Sequence, residues 1–241
     1  MNITTISLLI IYMYIYVIME NYEKERKQLL EETKNISGVD LRNYLKDKFY
    51  IKNNIPYNDV GVVLFKVDDG KFYDNINSTP KAENCEHVVP QSLFSEKLPM
   101  RSDLHHLYLC GVQSNSLRSN YKFEDIPLSD KPKWIINDTD YKATIVPSNP
   151  DEYSDYITNK GFEPKKVTRG NVARACAYFF TMYPEYFDVM PKVIDVPVMI
   201  EWNEIDPVND YDITRNYAIY DVQKNLNPYV LAPELISKAF E

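Results

Sequence analysis

Glycine and cysteine are scarce in this chain of 241 residues. The 6 glycines form neither a GxxxxGK[ST] nor a GxGxxG pattern, which argues against nucleotide triphosphate and dinucleotide cofactors. The 3 cysteines (Cys85, Cys110 and Cys176) are too few for a disulfide-stapled scaffold. Because their number is odd, at least one is a free thiol or is bridged to another chain. Cysteine usage therefore fits both a reducing and an oxidising compartment.

Positive charge is also in deficit. Lys and Arg number 27 against 35 Asp and Glu, so the formal net charge is −8 at pH 7. This count taken alone disfavours a polyanionic partner such as nucleic acid. The apolar content of 44% and the charged content of 26% are typical of a folded globular protein and exclude wholesale disorder.

No apolar run reaches the length of a membrane-spanning helix. The uncharged apolar run at residues 6–19 falls short of the roughly 20 residues needed to cross a bilayer and has the length of a signal-peptide core. No basic residue precedes it and no small-residue cleavage site follows it. We expect residues 1–20 to form an export signal or signal anchor, with a buried hydrophobic start as the alternative, and residues 21–241 to form one domain.

Periodicity predicts an α+β fold. Surface helices are expected over residues 21–34 and 41–49, the second capped by Asp40, and a buried strand over residues 60–67 with a hairpin turn at 68–70. The stretches 86–94 and 106–110 indicate a strand, a loop and a second strand before a helix over 111–120. Residues 131–154 are rich in Pro, Asp and Asn and should be irregular. A core helix is expected over 170–183 and a last helix over 210–224.

All three histidines lie between positions 87 and 106. The pair Glu86-His87 places a metal-binding oxygen beside a group suited to proton abstraction near neutral pH. Adjacent strand residues point to opposite faces, so both serve one centre only near a strand end, which Pro90 provides. Taken alone, such a pair is more often two surface side chains or a histidine that hydrogen-bonds within the fold.

A second polar segment follows. Asn115 and Arg118 are three residues apart and share a face of the expected helix. The Asn115 amide oxygen and the Glu86 carboxylate would make an oxygen-rich site of the kind Mg²⁺ prefers, and Arg118 would lie near a phosphate bound there. Helix capping is the plainer explanation for these residues.

Four blocks in order resemble a known family. They are NCEHVVPQSLF, SDLHHLYLCGVQSNSLRSNYKF, RGNVARACAYFFTMYPEY and IEWNEIDPVNDYDITRNYAIYDVQKNLNPYV. Together they are similar to the endonuclease I family of secreted and periplasmic nonspecific nucleases, which belongs to the His-Me finger (ββα-metal) nucleases. The resemblance covers roughly residues 40–235. It implies a ββα-metal core at about 84–125 embedded in a mostly helical single domain.

The resemblance also implies residue roles. His87 would be the general base that activates water, and Glu86 and Asn115 would bind one divalent cation, Mg²⁺, for which Mn²⁺ or Ca²⁺ could substitute. Arg118 would act on the phosphate. Asp103 and His106 would position the site. Asn120 is expected to be structural, although the helix register could exchange its role with that of Asn115.

The implied activity is metal-dependent, largely sequence-nonspecific hydrolysis of DNA, and of RNA as a further substrate, to 5′-phosphate ends. The protein would be exported and monomeric, touching a membrane only through an uncleaved N-terminal segment. Two alternatives stay open. One is a structural zinc site of Cys85, His87, Cys110 and either His105 or His106. The other is an inactive relative that binds nucleic acid at a cell surface.

Two departures from the family pattern, and one matching pair whose role stays open, affect these expectations. The family's disulfides are at most partly kept, although Cys85 and Cys110 could pair. Lys224 stands where relatives have Gly, which puts that loop's conformation in doubt. The pair Arg215-Asn216 could be functional or could serve packing.

Charge is unevenly distributed along the chain. Residues 160–174 hold five basic groups against one acid, residues 84–123 hold four against three, and residues 201–212 hold five acids without Lys or Arg. A basic face around the site and a steep loss of cleavage with salt are therefore expected.

Overall fold

A computed structural model describes residues 3–68, 71–74, 83–136 and 143–241. The molecule is an α+β protein in which helices predominate. Its helices are α1 (Ile3–Thr33), α2 (Gly38–Phe49), α3 (Tyr57–Val67), α4 (Val112–Arg118), α5 (Arg169–Met182), α6 (Val196–Ile205), α7 (Asp210–Gln223), α8 (Pro228–Leu231) and α9 (Leu235–Phe240). Its strands are β1 (Glu83–His87), β2 (Leu107–Gly111), β3 (Lys122–Phe123), β4 (Lys133–Ile135), β5 (Ser154–Ile157) and β6 (Gly161–Glu163).

The centre of the protein is α5, which confirms the predicted core helix. Every residue from Gly170 to Met182 is buried, because small and aromatic side chains cover all sides of the helix and neighbours enclose it. Helices α2, α6 and α8 pack around it. The buried Arg174 is neutralised by Asp212, with 3.1 Å between Nη2 and Oδ2.

A hairpin followed by a helix lies against this core. Strands β1 and β2 are antiparallel, with Glu86 opposite Tyr108 and His87 opposite Leu107, and α4 follows β2 directly. Beyond β1, the Val88 amide donates to the His106 carbonyl at 3.0 Å, which holds the two chains together past the strand end. This order of two strands and one helix is compatible with the expected ββα core.

The remaining strands form a second sheet in the order β3-β6-β5-β4. Strand β4 pairs with β5 in antiparallel fashion, Trp134 lying opposite Asp155. The prediction that residues 131–154 are irregular is therefore wrong at Lys133–Ile135 and at Ser154, where the chain enters β5. Short strands among Pro and Asn residues are stabilised by partners distant in sequence, which local composition does not reveal.

The strand predicted at residues 60–67 is wrong, since this segment belongs to helix α3. Val60 and Leu64, four residues apart, are buried, whereas Val62 and Phe65 are exposed. That is the spacing of residues on one face of a helix. A short apolar run in the sequence does not show whether the segment is a helix or a buried strand. The rest of the predicted hairpin turn, residues 69–70, lies outside the described residues.

The N-terminal segment continues into the helix predicted at residues 21–34, and the two form α1 without a break. Its second half packs on the core through Ile18, Tyr22 and Leu29, while side chains 12–17 are exposed. None of the helices in the described part of the chain combines the length and apolar character needed to cross a bilayer.

Two further helix predictions need correction. Helix α2 begins after Ser37 rather than at an Asp40 cap, and it buries Leu41, Leu45 and Phe49, so it is not a surface helix. Helix α7 is confirmed at residues 210–223, where an Asn209–Asp212 capping box starts it, but α8 and α9 follow it.

Candidate active site

The end of β1 and the helix α4 enclose one cavity of about 370 Å³. Strand β1 ends at His87 and the chain bends at residues 88–89, so Glu86 and His87 both reach this cavity from adjacent positions. The predicted site residues Glu86, His87, Asn115, Arg118 and Asn120 all line it. The other lining residues are Tyr57, Asn84, Cys85, Pro90, Gln91, Ser92 and Ser119.

Glu86 is a buried carboxylate with two partners. Its Oε1 accepts a hydrogen bond of 2.9 Å from the Tyr73 hydroxyl and lies 3.2 Å from Arg118 Nε. Burial raises the pKa of Glu86 to about 7, and the charge of Arg118 and the Tyr73 hydrogen bond oppose that rise. Among the described residues both of these contacts use Oε1 and neither uses Oε2.

His87 is 6% exposed and is oriented by a backbone carbonyl. Its Nε2 lies 3.1 Å from the Arg101 carbonyl oxygen. Because a carbonyl only accepts, Nε2 carries the proton and Nδ1 is the basic nitrogen of the neutral ring. Burial lowers the pKa of His87 to about 3, with the neighbouring His106 adding to the effect, so the ring is neutral at pH 7.

Helix α4 brings Asn115 and Arg118 to the cavity, as their spacing predicts. Asn115 is half-buried and its Nδ2 points to the Cys85 carbonyl at 3.4 Å. Arg118 is buried, and its Nη2 donates to the Val88 carbonyl at 2.6 Å while Nη1 donates to Ser119 at 3.0 Å. These contacts hold the Arg118 guanidinium, whose Nε lies beside Glu86, and a phosphate-binding role for Arg118 stays a prediction.

Asn120 lies beyond the end of α4 and is exposed. The preceding residue, Ser119, has a φ of 54°, so the chain leaves the helix axis at this point. Asn115 therefore projects from the helix and Asn120 from the turn, and both reach the same cavity.

The donor set at the cavity fits Mg²⁺. Glu86 Oε2 and the Asn115 amide supply oxygens from facing elements, and hard cations of this size combine one or two carboxylates with water and phosphate oxygens. In the described residues no three His, Cys, Asp or Glu side chains gather as metal ligands. That finding counts against the four-ligand zinc alternative.

Asp103 and His106 lie away from the cavity lining. Asp103 is buried, and its Oδ2 accepts hydrogen bonds from Tyr178 at 2.9 Å and Tyr183 at 2.6 Å. Its Oδ1 accepts from Gln223 Nε2 at 3.0 Å. His106 Nε2 lies 2.7 Å from the Met100 carbonyl, and its ring centroid is 5.8 Å from that of His87. Both residues support the loop that ends in β2.

His105 and His106 belong to a short 3-10 helix rather than to β2. His105 Nε2 lies 3.0 Å from the Asn225 carbonyl, and its ring packs on Tyr178. The three cysteines are free thiols, and Cys85 lies opposite Leu109 rather than opposite Cys110. The suggested pairing of Cys85 with Cys110 is absent from the structure.

The C-terminal residues of the family pattern serve packing. The Arg215 guanidinium pairs with Asp68, donates to the Leu107 carbonyl and lies 4.0 Å from the Tyr108 ring centroid. The Asn216 amide oxygen accepts from the Asn227 amide at 2.8 Å. Lys224 adopts the left-handed conformation with φ of 61°, so the loop keeps a geometry that favours glycine.

The basic cluster at residues 160–174 does not face the site, and that prediction is wrong. Lys160 pairs with Asp130 and Lys166 with Asp151 at the surface, and Lys165 is buried against the Asp74 carbonyl. Arg169 and Arg174 pair with acids of the core and its rim. None of the five lines the cavity.

Two residues that contact the site were not anticipated from the sequence. Tyr73 holds Glu86 through its buried hydroxyl, and the Tyr57 ring centroid lies 6.0 Å from that of His87. Each reaches the site through tertiary packing, and no local pattern around either residue signals the contact.

The hairpin and α4 thus bring a neutral histidine and a buried carboxylate into one cavity. The sequence profile of the Endonuclease I family matches residues 15–234, and the chain belongs to this family.

Two similar proteins are named extracellular ribonuclease. The one from Bacillus subtilis (strain 168) is 29% identical over 196 residues, which is 74% of this chain and 61% of that protein. The one from Bacillus amyloliquefaciens is 28% identical over 195 residues, with the same shares of 74% and 61%. An extracellular deoxyribonuclease from Aeromonas hydrophila is 24% identical over 164 residues, 60% of this chain and 64% of that protein. The chain thus spans less than two thirds of the length of each relative.

Proposed function

We propose that the protein is a divalent-metal-dependent endonuclease that hydrolyses phosphodiester bonds of nucleic acid without marked sequence preference and leaves 5′-phosphate ends. Membership of the Endonuclease I family and the names of the relatives support nuclease activity. Because those names include a ribonuclease and a deoxyribonuclease, both DNA and RNA are substrates to be tested.

The orientation of His87 carries the proposal. The hydrogen bond from Nε2–H to the Arg101 carbonyl fixes the tautomer in which Nδ1 is unprotonated. A histidine held in this way can take a proton from a water molecule that attacks a phosphate in the cavity. The Arg101 carbonyl then stabilises the imidazolium that forms.

Glu86 and Asn115 would hold the cation, with water and a phosphate oxygen completing its coordination. When bound, Mg²⁺ polarises the scissile phosphate and stabilises the departing 3′ oxygen. Tyr73 and Arg118 keep the Glu86 carboxylate in one orientation, since both contact Oε1. Preorganisation of this kind saves reorganisation at the moment of reaction.

The absence of sequence preference follows from what the cavity offers. Contacts to phosphate and to a metal carry no sequence information. Export is the proposed location, since the relatives are named as extracellular proteins.

Digestion of matched single- and double-stranded DNA and RNA, with Mg²⁺ and with EDTA, tests the proposal. We expect cleavage in Mg²⁺ and no cleavage in EDTA. Ligation and end-labelling of the fragments should show that they carry 5′-phosphates. Cleavage in EDTA, or fragments with 3′-phosphates, would overturn the metal-dependent mechanism. Failure to cut any of the four substrates in Mg²⁺ or Mn²⁺ would overturn the activity itself.

A further inference from the structure

A second, larger cavity opens beside the catalytic one. This groove has a volume of about 670 Å³ and lies between α3 and the hairpin. Tyr57, Asn84 and Cys85 line both the groove and the catalytic cavity, so the two adjoin each other. Whatever binds in the catalytic cavity can therefore extend into the groove.

The groove has an apolar floor and polar edges. Val60 and Leu109 form the buried floor, and Val62 and Phe65 are 60% and 45% exposed along the α3 wall. Asn58, Lys66 and Asn84 supply polar groups at the margin. Exposed apolar side chains gathered around a concave site mark a place where a ligand binds.

A glycine in the middle of α3 keeps this groove open. Gly61 lines it, and no described atom lies within 4 Å of a Cβ built at that position. Its φ is not in the left-handed region, so neither packing nor backbone conformation requires glycine. Glycine inside a helix costs roughly 0.5–1 kcal/mol relative to alanine. Gly61 therefore lowers the stability of the helix without making room for a contact with any described residue. The space beside it is open to the groove.

We propose that this groove binds unpaired nucleobases of the strand being cleaved, so that single-stranded nucleic acid is the preferred substrate. The choice of nucleic acid as the occupant rests on the function proposed above. Flat bases fit between apolar walls, and every base has a π-face that stacks on an aromatic ring irrespective of sequence. The amides of Asn58 and Asn84 can pair with base edges, and Lys66 can contact a phosphate.

Tyr57 connects the two cavities. Its ring lies beside His87, and the Arg101 guanidinium carbon is 4.2 Å from its ring centroid. A base that stacks in the groove is therefore held next to the phosphate under attack. Bases in a duplex are stacked and paired internally, and they reach such a groove only after unstacking, which costs energy.

The experiment measures binding separately from cleavage. Fluorescence anisotropy in EDTA reports the affinity for a short labelled single-stranded oligodeoxynucleotide and for versions with one abasic position at successive sites. We expect an abasic position next to the bound phosphate to weaken binding to the wild type by about 5- to 10-fold, the low end of a base–aromatic stacking contribution, because Phe65 is only half-buried.

Two variants test whether the groove is responsible. Phe65→Ala removes the stacking ring, and Gly61→Leu fills the groove while improving helix propensity. Each should weaken binding of the intact strand by a similar factor and abolish the difference between intact and abasic strands. Tyr220→Ala, which removes an aromatic ring of similar exposure on α7, is the matched control and should leave both affinities unchanged. A matched duplex should bind the wild type and Phe65→Ala equally.

The outcomes separate this inference from the proposed activity. Equal affinity of the wild type for intact and abasic strands overturns the groove, and so does abasic discrimination that persists in both Phe65→Ala and Gly61→Leu. If the wild type cleaves in Mg²⁺ but binds intact and abasic strands equally, base binding in the groove is wrong and the proposed nuclease activity holds. If it discriminates in EDTA but never cleaves, the groove stands and the nuclease activity fails. No measurable binding to either strand overturns the groove.

Discussion

Two polar clusters formed by neighbouring parts of the chain differ in how fully their groups are paired. Around Asp103, two tyrosine hydroxyls and the Gln223 amide all donate to one buried carboxylate. Around Glu86, the contacts fall on one carboxylate oxygen, and the neighbouring His87 and Asn115 line a cavity.

The two clusters do not differ in residue type, because each contains an acid and a histidine close together in sequence. They differ in how many hydrogen bonds their polar groups make inside the protein. A buried carboxylate with all its partners in the chain stabilises the fold, whereas one with an oxygen left toward a cavity can bind a ligand. Substitutions in the two clusters should therefore have opposite consequences.

The largest expected effect is on turnover. His87→Ala removes the proposed base and should lower the cleavage rate by roughly 10²- to 10⁴-fold, about 3 to 5 kcal/mol of barrier. Single-turnover cleavage in Mg²⁺ measures it, and urea unfolding should show that the variant still folds cooperatively. Ser92→Ala, an exposed position on the same cavity, is the control and should keep wild-type turnover. Wild-type turnover by His87→Ala would remove His87 from the mechanism.

Asp103→Ala should instead lower stability. The change leaves buried hydroxyl and amide donors without their acceptor, which costs on the order of 3 kcal/mol. Urea unfolding at pH 7 measures the loss, and at low temperature the folded fraction should still cleave. A variant with unchanged stability and lost turnover would invert the comparison and make Asp103 part of the chemistry.

A third carboxylate, Asp155, sharpens the comparison because its buried Oδ1 has no hydrogen-bond partner among the described residues. Burial, reinforced by the charge of Glu163, raises the pKa of Asp155 to about 8. The native state thus holds this proton more tightly than the unfolded chain does. The protonated Asp155 side chain contributes its full stabilisation to the native state below about pH 4, and this stabilisation is lost as the pH rises through 8.

Asp155→Asn removes that titration. It should stabilise the protein by about 1–3 kcal/mol at pH 8 and have little effect at pH 4. Unfolding curves at the two pH values report the difference. An equal effect at both would show that Asp155 is not protonated in the native protein.

The smallest effect concerns salt. The basic cluster at residues 160–174 is paired elsewhere, and among the described residues the cations that line the cavity and the groove are Arg118 and Lys66, with Arg101 nearby against the Tyr57 ring. With two or three phosphate contacts, log affinity for a single strand should fall with log salt at a slope of about −2. A slope steeper than about −4 would point to a basic face elsewhere on the molecule.

The sequence predicted the site better than it predicted the elements around it. Glu86, His87, Asn115 and Arg118 lie in two contiguous motifs, so their convergence follows from a hairpin and a helix close in sequence. The core helix α5 was predicted because its apolar residues recur at helical spacing.

The failures have a common physical origin. Helix α3 was mistaken for a strand because a short apolar run has no decisive period, and only its packing on the hairpin selects the helix. Tyr73 and Tyr57 reach Glu86 and His87 through tertiary contacts. The pairing of Lys160 and Lys166 with acids distant in sequence likewise removed the basic face that charge counting indicated.

The measurement that tests the account most directly is calorimetric titration of Mn²⁺ into the wild type and three variants. One cation should bind per chain, and Glu86→Gln or Asn115→Ala should weaken its binding about 100-fold or more, because the first removes the negative charge of one ligand and the second removes the other ligand's oxygen. Asn120→Ala should bind as the wild type does. Unchanged Mn²⁺ affinity in both Glu86→Gln and Asn115→Ala would contradict the claim that these residues hold a cation beside His87.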